Sequence, residues 1–156
     1  MQRIVPTILI AAALGLGPVA AVADPAAQRF EALRMLEEAF PDAAIRTMAG
    51  PAVQQLMHAT ALRHGDADQG QMFAYSALYL DEMQAAARDA MRDEATALVA
   101  RYSLAELQAL RSFAAEAGNA TILREGDGLL AEVARSIDRR MLGRMDAALD
   151  RHAPPR

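Results

Sequence analysis

Few residues in this chain can do chemistry, and they are widely spaced. Its three histidines are His58, His64 and His152. Two zinc-binding histidines on one helix stand four apart, as in H-E-x-x-H. His58 and His64 are six apart and fall on different faces, while His152 stands in the closing stretch "RHAPPR". Surface histidines are therefore expected, not a three-histidine centre. The stretch "HGDADQG" places Asp66, Asp68 and Gly70 between two apolar-periodic segments. A calcium loop needs an acceptor at its fifth position, glycine at its sixth and glutamate at its twelfth. Counted from Asp66 those places hold Gly70, Gln71 and Ala77, so a solvated acidic turn is expected.

Met141 and Met145 are four apart and can face one soft cation such as copper(I). They also continue an apolar stripe, and methionine fills cores readily, so core packing is the expectation. The last segment carries Arg135, Arg139, Arg140, Arg144 and Arg151 against Asp127, Glu132, Asp138, Asp146 and Asp150. Equal numbers of opposite charge predict a mixed, solvated face with pairs three and four apart, in preference to an anionic-lipid stripe.

Nucleophiles and phosphate loops are missing as motifs. There is no cysteine, no G-x-S-x-G and no Walker loop. Glu106 is the one carboxylate with an assignable place, and helix capping accounts for it. No catalytic residue, cofactor-binding residue or metal ligand is expected, and no cofactor. A binding or adaptor module for an envelope protein, peptide or lipid is the leading expectation. An envelope hydrolase using a buried carboxylate is the alternative.

The envelope enters through the first residues, "MQRIVPTILIAAALGLGPVAAVADP". A lone Arg3, an apolar run from Ile4 to Gly17 and the small residues of Ala21-Val22-Ala23 have the order of a signal peptide over residues 1–23. Cleavage is expected between Ala23 and Asp24, with export to a bacterial periplasm and no stable membrane span afterwards. The remaining 133 residues suffice for one domain with its own core. The chain's formal charge is −4, which argues against general nucleic-acid binding. Oligomeric state is not readable from these features.

Helix formers dominate, β-branched and aromatic residues are scarce, and no period-two run appears, which predicts an all-α fold. One bundle of about five helices is expected over residues 24–151, with a disordered tail at 152–156. Asp24 caps the first helix and Pro25 opens it, with Phe30, Leu33, Leu36 and Phe40 inward. After a short turn over 42–48, Pro51 is expected to open the second helix, which carries Val53, Leu56, Met57 and Thr60. The third runs from about Gln71 to Ala100, its stripe including Met72, Ser76, Tyr79, Met83, Ala87, Ala90 and Leu98. In "YSLAELQALRSFAAEAGNATI", Ser103 and Glu106 form a capping box. Leu104, Leu107, Leu110 and Phe113 face inward, Gly118 ends the helix in the left-handed region, and Asn119 caps the next. A long last helix carries Ile122, Leu130, Val133, Ile137, Met141, Met145 and Leu149, broken or bent near Gly126 and Gly128. The third and last helices, the longest and richest in methionine, are the expected walls of any groove.

The pattern E-L-x-x-L-x-x-F-x-x-x-x-G, here Glu106, Leu107, Leu110, Phe113 and Gly118, resembles part of the signature of a bacterial envelope family catalogued as domain of unknown function twenty fifty-nine. The resemblance covers roughly residues 98–133. Where that family often has an aromatic after the phenylalanine and serine-proline before the glycine, this chain has Ala114 and Glu116-Ala117. The resemblance implies a helical exported protein and brings no activity with it.

Overall fold

The computed structural model of the chain describes residues 24–116, 118–125 and 128–153, apart from the side chains at 122, 123 and 125. The expected signal segment with Ala23, the break at Gly126, the inward Ile122, Asp127 and the tail positions 154–156 lie outside the described residues. Among those described, the fold is all-α: α1 (Pro25–Ala39), α2 (Asp42–Arg63), α3 (Gln69–Val99), α4 (Leu104–Ala115), α5 (Asn119–Glu125) and α6 (Leu129–His152).

The central element is α3. Its 31 residues span ~46 Å at 1.5 Å per residue, and α1, α2 and α6 all pack on it. Tyr79, Met83, Ala86, Ala87, Ala90, Met91, Ala95 and Leu98 line its buried side. The four alanines let neighbouring axes approach closely, since interaxial distance follows the size of the contacting side chains. Met141 is buried, and Met145 packs partly buried against the same core. α3 and α6 thus pack directly on one another, while Met141 also reaches a hollow on the α2 side of α6.

Three boundaries differ from expectation for identifiable reasons. α2 begins at Asp42, not at Pro51, and runs through Pro51. The residue before a proline usually avoids the helical region because its Cβ meets the proline ring. Gly50 has no Cβ, so that restriction is relieved. Ile45, Ala49, Ala52, Val53, Leu56 and Thr60 then form one buried stripe across the Gly-Pro step. α3 begins at Gln69 because Asp68 caps it. Asp68 Oδ1 accepts from the Gln71 N–H at 2.8 Å, and Gln71 Oε1 accepts from the Asp68 N–H at 3.1 Å. One member of the acidic turn is therefore a helix cap. At the other end, α6 includes His152, and Ala153 behind it is fully buried. The domain extends two residues past the expected boundary at Arg151.

The last helix is broken at Gly128, one of the two places expected. α5 is a separate seven-residue helix, and Gly128 is the N-cap of α6, which brings the count to six among the described residues. Asn119 is the first residue of α5, not its cap. Its amide donates to the Phe113 carbonyl at 3.1 Å and to Glu116 Oε2 at 3.0 Å, so it closes the helix behind it. Two expected inward aromatics are exposed. Phe30 is 61% accessible because Ala32, Met35, Leu36, Ala39 and Phe40 carry the buried face. Phe113 is 37% accessible because α4 lies at the periphery, where only Leu107 and Ala114 are fully covered.

The Ser103 capping box is present. The Ser103 N–H donates to Glu106 Oε2 at 2.7 Å, and the Glu106 N–H donates to Ser103 Oγ at 3.4 Å. The Ser103 backbone N–H, with its hydroxyl, holds the Glu106 carboxyl below the usual glutamate range. Gly118 has φ +87°. Replacing Ser103 with Ala is expected to cost ~0.5–2 kcal/mol. Gly118→Val is expected to cost at least ~1–2 kcal/mol, because a β-branched residue is strained there. Urea titration of both variants checks the pair.

Candidate functional site

Three arrangements among the described residues bear on function. The first is a set of ties between α3 and α6. Glu82 pairs with Arg151, Asp89 with Arg144 at 3.3 Å, Asp93 with Arg140, and Arg101, just past α3, with Glu132 at 3.7 Å. Steps of 7, 4 and 8 residues along α3 are matched by equal steps back along α6, as an antiparallel pair in fixed register requires. The last helix therefore spends these arginines across the interface, and not on partners three and four residues away as expected. Asp150 also pairs outward, with Arg63 of α2 at 2.8 Å. Apart from that of the largely covered Glu82, these pairs are exposed and worth ~0–1 kcal/mol each, so their main effect is on register.

The second arrangement lies where the ends of α2 and α6 meet α3. Thr60 and Tyr79 are fully buried, with 2.6 Å between their hydroxyl oxygens. Thr60 Oγ1 also donates to the Leu56 carbonyl at 2.9 Å. A threonine hydroxyl has one proton, so Tyr79 O–H is the donor and Thr60 Oγ1 the acceptor. Burial pushes the Tyr79 phenol up. Rings extend the cluster: His64 stacks on Tyr75 at 6.4 Å, Tyr75 on Tyr79 at 6.3 Å, and Tyr79 meets His152 edge-on at 6.0 Å. His64 and His152 thus stand at opposite ends of a ladder with two tyrosines between, while His58 is exposed. Among the described residues no three histidine, cysteine or acidic side chains gather in a way that could hold a metal ion.

His152 Nε2 lies 3.2 Å from Glu82 Oε1, and Arg151 donates to the same carboxylate. Burial raises the Glu82 carboxyl, but the hydrogen bonds from His152 and Arg151 outweigh it and hold the group below the usual glutamate range. Arg63 donates to the Ala153 carbonyl at 3.0 Å and closes the end of α6. A carboxylate–imidazole pair is two-thirds of a hydrolytic triad. The neighbouring hydroxyl, on Tyr79, is committed to Thr60, and the ring contact with His152 is edge-to-face. The pair fastens the last turn of α6, and among the described residues no hydroxyl is hydrogen-bonded to His152.

The third arrangement is a hollow of about 320 Å³ between α2 and α6, lined by Thr47, Met48, Pro51, Ala52, Asp138, Met141 and Leu142. Leu142 is 55% accessible at its rim. Partial burial pushes the Asp138 carboxyl above the usual aspartate range. Among the described residues nothing is ion-paired or hydrogen-bonded to Asp138. A second hollow, about 340 Å³, lies between α1 and α3, with Ala26, Phe30, Leu33 and Ala95 as its apolar lining beside Arg29 and Arg92. The motif residues Ser103, Glu106, Leu107, Leu110, Phe113 and Gly118 line neither hollow; they shape α4 and its end. Sequence reasoning singled out neither Thr60–Tyr79 nor Glu82–His152 as a pair. It passed over Asp138 in the charge count, where the apolar neighbours Met141 and Leu142 three and four residues on were the available signal.

No family model, no curated protein and no solved structure matches the chain.

Proposed function

We propose that this chain is a non-catalytic binding or adaptor module of the bacterial envelope, exported by residues 1–23 and cut between Ala23 and Asp24. On this reading it is related to the family named above and holds an envelope protein, peptide or lipid. The observation that carries the binding reading is the placing of exposed Phe30 and Leu142 at the rims of two hollows. Exposed apolar side chains beside concave apolar surface are the usual form of a recognition site. The low-exposure carboxylates Glu31 and Glu82 are meanwhile engaged by Arg111 and by Arg151 with His152. A hydrolase is the second reading, favoured by the raised carboxyl of Asp138, which has no ion-pair or hydrogen-bond partner among the described residues.

The purified protein, used as bait in envelope extract, is expected to retain a defined protein, peptide or lipid. Phe30→Asp or Leu142→Asp should reduce retention while leaving far-ultraviolet circular dichroism and thermal midpoint unchanged. Retention unaffected by either variant would reject these surfaces.

A further inference from the structure

The α2–α6 hollow has a distinctive polar inventory. Thr47 Oγ1 donates its proton to the Ala43 carbonyl at 3.0 Å, so toward a ligand its oxygen can only accept. Asp138 carries a carboxyl at the same hollow, with no counter-charge paired to it among the described residues. The remaining side chains are those of Met48, Pro51, Ala52, Met141 and Leu142, which are apolar. Both polar side chains of the lining are therefore acceptors, one of them acidic, set in apolar surface. The volume lies at the lower end of the ~300–1,000 Å³ typical of small-ligand sites. A ligand suited to it has an apolar body and a head that donates hydrogen bonds and carries positive charge. An ammonium has three donors and no acceptor.

We propose that the hollow between α2 and α6 binds a small amphiphilic amine, its alkyl chain against Met48, Ala52, Met141 and Leu142 and its ammonium at Asp138. The proposal rests on the binding reading above and names a ligand class for one of its two surfaces. Asp138 is exposed, so its contribution is that of a screened ion pair. A preference of about fivefold over an uncharged analogue is expected.

The test uses hexylammonium, hexanol and hexanoate as probes, titrated into ¹⁵N-labelled protein. Hexylammonium is expected to shift amides in 47–52 and 138–142 and to bind about fivefold tighter than hexanol, with hexanoate weakest. Asp138→Asn, at an exposed position and with its fold monitored by circular dichroism, should abolish the preference and leave hexanol binding intact. Equal binding of hexanol and hexylammonium to the wild type would overturn the amine assignment, as would a preference that survives in Asp138→Asn. Absence of any shift in those two segments would overturn the site itself. The general binding reading would still be decided separately, by envelope capture at Phe30.

Discussion

Replacing Tyr79 with Ala is expected to remove ~3–5 kcal/mol of stability, the range for deleting a buried aromatic ring. The site is costly because one ring serves three elements: its hydroxyl donates to Thr60 on α2, its face stacks on Tyr75, and it meets His152 of α6 edge-on. A domain of this size holds ~5–15 kcal/mol in all, so the variant should lie near the edge of folding. Tyr79→Phe should cost only ~1 kcal/mol, because Thr60 keeps its bond to the Leu56 carbonyl and no buried donor is orphaned. Thr60→Val should cost more than Tyr79→Phe, since it leaves the buried phenol proton without its acceptor, at ~1–3 kcal/mol. Urea midpoints of the three variants test this ordering. A Thr60→Val midpoint at or above that of Tyr79→Phe would contradict the donor assignment.

The second large effect is expected at Arg111. Its guanidinium reaches from α4 to two carboxylates of α1, Glu31 at 2.6 Å and Glu38 at 3.4 Å. The Glu31 side chain is only 10% exposed. Arg111→Met would leave two negative groups close together, one of them nearly buried, with that counter-charge gone. Breaking a buried pair costs ~3–5 kcal/mol. About a third of the Arg111 side chain is exposed, so with solvent screening ~2–3 kcal/mol is the expected loss. The triple variant Glu31→Gln, Glu38→Gln, Arg111→Met should recover most of it, because neutral amides at those places need no cation. Equilibrium unfolding at neutral pH checks both. A triple variant no more stable than the single one would mean that Arg111 acts through packing of its stem.

Local signals in this chain were readable because they are short-range. Asp24 at the start of α1, the Ser103–Glu106 box and the left-handed Gly118 each need only neighbouring residues, and each is where the sequence places it. The Gly50-Pro51 step misled because proline alone signals a helix start, while the glycine before it removes the obstacle to continuation. Asn119 misled for a related reason. Its side chain can cap forward or close the helix behind, and the choice depends on the turn at Gly118.

Cross-helix pairing was the hidden part. The acids Glu82, Asp89 and Asp93 and the arginines Arg151, Arg144 and Arg140 were visible as charges, and their matched spacing was in the sequence. It acquires meaning only once α3 and α6 are known to run antiparallel. The same holds for Thr60 with Tyr79 and for Glu82 with His152. The expected tail absorbed His152 because nothing local marks an imidazole that docks on a distant ring.

The central claim is that the chain's carboxylates serve closure and recognition, and that the protein binds without turnover. Asp138 is the group to challenge, its carboxyl held above the usual aspartate range, unpaired among the described residues and set beside apolar surface. Purified protein and its Asp138→Asn variant, incubated with peptidoglycan and with a chromogenic ester and followed by product release, make the most direct test. Both proteins are expected to release no product above a protein-free control. Product formed by the wild type and lost in Asp138→Asn would contradict the claim and establish the hydrolase reading instead.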